Sequence, residues 1–168
     1  MESKRTDSEK DWKQTVYSWL AEEGMFRKEV DDPKATFHFS ANYPVGSPYQ
    51  VELIKPRDMK DGLLVVAILR VAPQHRQKLT KMSPEKRKDL IFGLKMRLLQ
   101  QRPGFSVKER DGAWDAAQFQ VRLLYDTLSK TRLIEAIDDV FRCMLVVIWT
   151  FANAFGLPTN AQQPGFYA

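Results

Sequence analysis

Leu63-Leu64-Val65-Val66-Ala67-Ile68-Leu69 is an unbroken apolar run containing three β-branched residues. A short run of this kind, bounded by turn signals, reads as a strand. With apolar side chains on both faces it belongs at the centre of a sheet, well covered.

Its upstream neighbours have a different pattern. Tyr49 to Lys55 alternates, with Tyr49, Val51 and Leu53 on the apolar side. Thr36 to Tyr43 alternates too: Phe37, Phe39, Ala41 and Tyr43 point one way, Thr36, His38, Ser40 and Asn42 the other. Phe26 to Val30 makes a short fourth strand. Asp31-Asp32-Pro33, Pro44-Val45-Gly46-Ser47 and Pro56 through Asp61-Gly62 supply the connections. Downstream, Phe105 to Glu109 and Trp114 to Tyr125 flank Asp111-Gly112, a hairpin signal. Ala117, Phe119, Val121, Leu123 and Tyr125 share one side of the long strand, and Gln118, Gln120 and Arg122 the other.

Three helices complete the chain. Trp12, Val16, Trp19 and Leu20 make an apolar stripe from about Ser8 to Glu23, with Asp7 or Ser8 as cap and Gly24 as stop. Ser83-Pro84-Glu85 starts a helix to about Gln101 with Leu90, Leu94 and Leu98 buried. The last helix spans about Lys130 to Phe155, ending at Gly156-Leu157-Pro158. The expected architecture is α+β in the order α-β-β-β-β-α-β-β-α. Hairpin-length connections make its six-stranded sheet largely antiparallel, and two-faced strands place the helices mainly on one side.

The 168 residues fit a single domain, 1–168, with an ordered core at about 8–156. Residues 1–7 read as a flexible lead-in, and the Gln/Pro/Gly-rich segment after 156 as a mobile tail. Met1 to Asp11 lacks an apolar core, so no secretory leader is expected. The longest apolar run, Cys143 to Phe151, is about half the roughly 20 residues a bilayer requires. One cysteine excludes an intrachain disulfide. Together these predict a cytoplasmic protein.

No motif names a reaction. His38 and His75 lie in different elements, without His or Cys at metal-ligand spacing. His38 reads as a polar-face strand residue and His75 as a loop residue. Cys143 sits in the most apolar part of the last helix and reads as a buried small hydrophobe rather than a reactive thiol. Glu22-Glu23, Asp31-Asp32 and Asp138-Asp139 diverge rather than face one another. The eight glycines form no phosphate-binding loop, and Ser40, Ser83 and Ser106 lack a nucleophile-elbow context. No enzyme, cofactor or metal is expected. A cleft gathering His38, Glu52 and Arg122 would argue otherwise.

Charge is uneven. The chain nets +5, yet Arg76 to Arg110 holds eleven Lys or Arg against three acids, a local +8. Lys88, Lys95 and Arg102 repeat every seven residues and form a candidate basic patch for a phosphate backbone. No aromatics interleave with them, as they would on a nucleic-acid platform. The last helix raises a second partner question. From Cys143 to Phe151 it is apolar around most of its circumference. One side can cover the sheet; Val146, Trp149 and Cys143 then face outward as a candidate homodimer contact.

The element order resembles the type III secretion chaperone-like fold. Trp19-Leu20-Ala21-Glu22-Glu23-Gly24, Phe37-His38-Phe39 and Tyr43-Pro44 resemble an uncharacterised, largely archaeal family, domain of unknown function 2299, over about residues 8–156. The family resemblance implies a fold and no activity. The fold resemblance implies dimerisation and binding of extended protein segments. Secretion chaperones are typically acidic, and this chain is basic. The leading expectation is a non-catalytic interaction protein, chaperone-like or an adaptor, that binds a protein segment or a second subunit. The alternative is a nucleic-acid-associated protein using the basic middle helix.

Overall fold

The computed structural model describes residues 3–157, with side chains from Trp12 onward. The elements run α1 (Ser3–Glu22), β1 (Phe26–Glu29), β2 (Ala35–Asn42), β3 (Gln50–Pro56), β4 (Gly62–Arg70), α2 (Pro73–Lys81), α3 (Pro84–Leu99), β5 (Gly104–Arg110), β6 (Ala113–Leu124) and α4 (Lys130–Phe155). All six strands join one antiparallel sheet in the order β1-β2-β3-β4-β6-β5. The apolar strand β4 lies between β3 and β6, as its composition predicts.

Alternation decides which face is covered. Cross-strand neighbours point to the same side of an antiparallel sheet. Phe39, Leu53, Val65 and Val121 are successive partners across β2, β3, β4 and β6. They belong to one core with Leu63, Ala67, Leu69, Phe119 and Leu123. Helix α4 packs over β3, β4 and β6, while α1 packs over β1 and β2. The opposite face carries Thr36, His38, Glu52, Ile68, Gln118, Gln120 and Arg122, and Ile68 is exposed there.

Three sequence expectations need correction. Helix α1 begins at Ser3, so residues 3–7 are helical rather than a lead-in, and positions 7 and 8 lie inside the helix rather than at its start. Lys4 and Arg5 are good helix formers, so the polarity of the segment is no barrier. The segment after Leu69, read as a loop, contains α2. Proline starts this helix without a side-chain cap, and only His75 and Leu79 are buried. Two core positions are too few to establish a period. His75 is therefore a buried helix residue. The tail after Leu157 lies outside the described residues.

The third correction explains the apolar circumference of α4. Helix α3 packs on α4. Arg97 Nη1 donates to Thr150 Oγ1 at 3.1 Å, and Arg102 Nη1 lies 3.9 Å from Asp139 Oδ2. These contacts bring the end of α3 and the segment after it over the Asp139, Cys143, Val146, Thr150 row of α4. Cys143 is buried rather than outward, and Val146 is half-buried. Trp149 alone of the three stays exposed, at 66%. The helix is apolar on two sides because two layers cover it, the sheet and α3.

Two glycines behave oppositely. A Cβ on Gly62, at the start of β4, would come within contact distance of the Leu123 carbonyl oxygen and 3.2 Å from its carbon. Both contacts are backbone in the central β4–β6 ladder and cannot move aside. A Cβ on Gly93, in α3, would meet nothing within 4 Å. Gly62→Ala is expected to destabilise by about 1–3 kcal/mol through overpacking. Gly93→Ala is expected to stabilise by up to about 1 kcal/mol through helix propensity. Urea unfolding of the two variants measures both; shifts of the same sign would contradict the assignment.

Candidate functional site

The outer sheet face holds the most connected polar cluster. His38 projects from β2 and Glu52 from its partner β3. His38 Nε2 lies 2.9 Å from Glu52 Oε2, and Nδ1 lies 3.1 Å from Asp32 Oδ2. Ser40 Oγ donates to Glu52 Oε1 at 2.9 Å. Asp32 is part of the β1–β2 turn and accepts the backbone N–H of Lys34 at 2.9 Å. That bond is the largest influence holding its carboxyl below the usual range; burial opposes it and His38 adds to it.

The arrangement ties a turn to the sheet. The two carboxylates occupy opposite ring nitrogens, so they cannot converge on one ion. Among the described residues, no group of three or more His, Cys, Asp or Glu is placed to hold a metal. Ser40 is buried and its hydroxyl is committed to Glu52.

Arg122 does not join this cluster. His38, Ile54, Leu64 and Arg122 are successive partners across β2, β3, β4 and β6. Three strand spacings separate His38 from Arg122, about 14 Å. Arg122 pairs instead with Asp61, Nη2 to Oδ1 at 3.1 Å. Of the three sequence candidates, the structure brings together His38 and Glu52, adds Asp32 and Ser40, and leaves Arg122 elsewhere.

The basic row also divides. Lys88 is exposed and Lys95 half-exposed on α3, whereas Arg102 lies beyond the helix end at Leu99 and faces Asp139. Arg76, from the same basic stretch, bridges Asp111 and Asp115 at 3.0 and 3.1 Å. Part of the local positive charge therefore holds elements together.

The apolar outer face of α3 is the feature the sequence reading did not single out. Leu94 and Leu98 are buried, and Leu90 and Ile91 pack against the core. On the opposite side Phe92, Met96 and Leu99 are 64%, 44% and 65% exposed. Their i, i+4, i+7 spacing makes one continuous stripe. Lys88 and Lys95 run along its border. The signal was present in the sequence, since α3 has apolar residues at helical spacing on two faces.

Buried polar side chains complete the inventory. Lys55, at the end of β3, points into the apolar face and is buried. Its Nζ donates to the Met59 carbonyl and lies 5.9 Å from the Tyr125 ring centroid. His75 Nε2 is 2.9 Å from the Gly156 carbonyl and packs by Phe151 and Phe155. Tyr43 donates its hydroxyl to Asp138 of α4 at 2.9 Å.

The pattern of the uncharacterized conserved proteins DUF2299 matches residues 12–151. The chain belongs to that family. A crystal structure of an uncharacterized protein from Methanothermobacter thermautotrophicus is 31% identical with a TM-score of 0.80, covering 85% of this chain and 98% of that one. The two share the family's α+β architecture. A chain in the structure of the HopA1-SchA chaperone-effector complex is 17% identical with a TM-score of 0.46, covering 80% of this chain and 90% of that chain. None of the curated proteins matches. Among the described residues, no helix is long and apolar enough to cross a membrane.

Two buried groups yield measurable outcomes. Burial, with Asp139 adding to it, pushes the Cys143 thiol up to about 12. The thiolate is the reactive form. Ellman's reagent is therefore expected to leave the folded protein untouched at about pH 8 and to titrate one thiol in urea. Rapid labelling of the folded protein would refute the burial. For His75, burial is the largest influence and Lys78 assists it, lowering the pKa below 6.5; the Gly156 carbonyl opposes them. The folded ring thus takes up its proton at lower pH than the unfolded chain. This group leaves stability unchanged above about pH 6.5 and reduces it as pH falls below that value. The urea midpoint of His75→Gln is expected to fall less steeply than wild type between about pH 7 and 5. Parallel slopes would show that His75 does not carry the effect.

Proposed function

We propose that this chain is a non-catalytic interaction protein, a chaperone-like or adaptor module that binds another protein chain in the cytoplasm. The exposed stripe Phe92, Met96 and Leu99 carries this reading. Burying each such side chain contributes roughly 1.5–3 kcal/mol, enough together to drive association. The non-catalytic part is supported by the commitment of His38, Ser40 and Cys143 to internal contacts. The reducing compartment is supported by a single buried free thiol.

The first partner to test is a second copy. Isologous pairing would bring the stripe of one chain against that of another. Trp149, the exposed member of the sequence-derived trio, extends the apolar surface available on α4. Nucleic-acid association through α3 is the second reading. Lys88 and Lys95 support it, whereas Arg102 faces Asp139 rather than extending the row.

Light scattering at micromolar concentration is expected to show twice the 19.5 kDa chain mass. Phe92→Ser/Leu99→Ser and Trp149→Glu change exposed residues and are expected to melt within a few degrees of wild type. The first should give a monomer, and the second should weaken the dimer. A wild-type monomer that also captures no protein from nuclease-treated lysate would overturn the proposal. Retention only in untreated lysate would favour nucleic acid.

A further inference from the structure

The two strands of the β5–β6 hairpin end at different points. β5 starts at Gly104, opposite Gln120, whereas β6 continues to Leu124. Helix α3 ends at Leu99, and the chain reaches the sheet edge only at Gly104. The outer side of Val121–Leu124 thus has no β5 partner, over a length of about 13 Å.

The direction of the backbone groups follows from two bonds. Tyr125 N–H donates to the Asp61 carbonyl, and the Asp115 carbonyl accepts from Val71 N–H, both at 2.9 Å. Odd-numbered residues of β6 therefore turn their backbone groups toward β4. Alternation turns those of Arg122 and Leu124 toward the open edge. The Leu124 carbonyl accepts from Thr127 N–H at 3.2 Å. Among the described residues, the Arg122 N–H and C=O and the Leu124 N–H have no backbone partner and remain for a ladder.

A cleft of about 420 Å³ lies along this edge. It touches Arg122 on the outer face and Val121 and Leu123 on the inner, so it follows the strand's edge rather than either face. Ala136, Glu135 and Asp139 of α4 form its far wall. Arg102, Arg122 and Arg132 are among its lining residues. Among the described residues, Arg102 and Arg132 have long pairs alone, 3.9 Å to Asp139 and 3.5 Å to Glu135. Exposed pairs of this kind hold weakly, and each guanidinium has five donors.

We propose that this notch binds an extended acidic peptide segment as an added strand beside β6. Backbone bonds to Arg122 and Leu124 set the register. Side chains facing α4 are carboxylates that take up the donors of Arg102 and Arg132, and the alternate apolar residues lie on the outer face beside Leu124 and the Arg122 stem. This is strand addition at a sheet edge, with charge selecting the segment. The proposal rests on reading the chain as a protein-binding module and names a binding mode separate from the α3 stripe.

The test uses the full chain and a fluorescein-labelled hexapeptide of alternating valine and glutamate. Controls are its valine–lysine counterpart and a glutamate peptide N-methylated at alternate amides. Anisotropy is expected to show binding of the glutamate peptide alone. Arg102→Glu/Arg132→Glu, with an unchanged circular dichroism spectrum, is expected to weaken it at least about tenfold. Amide hydrogen exchange at Arg122 and Leu124 should slow when the peptide is bound. The N-methylated control leaves the protein intact, so its failure to bind supports strand pairing even if the arginine variant does not fold. Equal binding of the glutamate and lysine peptides, or binding without protection at Arg122 and Leu124, would overturn the notch while leaving peptide binding elsewhere. Absence of binding by either peptide would overturn the notch; the α3 reading then stands or falls on its own light-scattering result.

Discussion

Helix α4 lies between two layers, and the rest of the architecture follows from that. Its Leu133, Ile137, Val140, Met144, Val147 and Phe151 side chains join the sheet core. Its Asp139, Cys143, Val146, Thr150 row runs beneath the end of α3 and the segment that follows it. A helix with two apolar sides cannot rest on a sheet alone without leaving one side to water. Helix α3 answers that need, and α2 closes the end near Phe151 and Phe155. The partners of α4 thereby determine which surfaces remain open: the outer sheet face, the far side of α3 and the edge of β6.

Much of this arrangement was legible in the residues. Alternation in Thr36–Tyr43 and Tyr49–Lys55 assigned faces correctly because the period of two has no competing interpretation there. Ser83 and Pro84 marked α3, and Ser83 Oγ accepts from the Lys86 N–H. Helix α2 escaped because nine residues with two buried positions carry almost no periodic signal. Cys143 and Val146 were misplaced for another reason. One sequence distinguishes apolar from polar faces, but not a face covered by a neighbouring helix from one open to solvent. The row Leu90, Leu94 and Leu98 was read as buried without identifying the surface that buries it.

The candidate sites divide along the same line. His38 and Glu52 share a face by parity alone. Asp32 joins them only because the β1–β2 turn folds back, a fact of three dimensions that its Asp-Asp-Pro sequence encodes merely as a turn. Arg122 shares the face but lies three strands away, since parity says nothing about lateral distance. The clustered positive charge between Arg76 and Arg110 is similar. As a count it suggested an anionic partner; in space, Arg76 and Arg102 face acids on other elements, and Arg97 binds a threonine.

The β4–β6 ladder joins strands separated by α2, α3 and β5. β1 to β4 form one continuous meander, and β5–β6 form one local hairpin. Each can assemble from contacts close in sequence, but their seam closes a loop of more than forty residues. Such a closure has a high entropic cost and is slow relative to local pairing. Until it forms, β4, apolar on both faces, lacks its β6 neighbour, and β6 lacks a partner for the side that carries its odd-numbered backbone groups. The correct fold therefore depends on β4 meeting β6 of the same molecule.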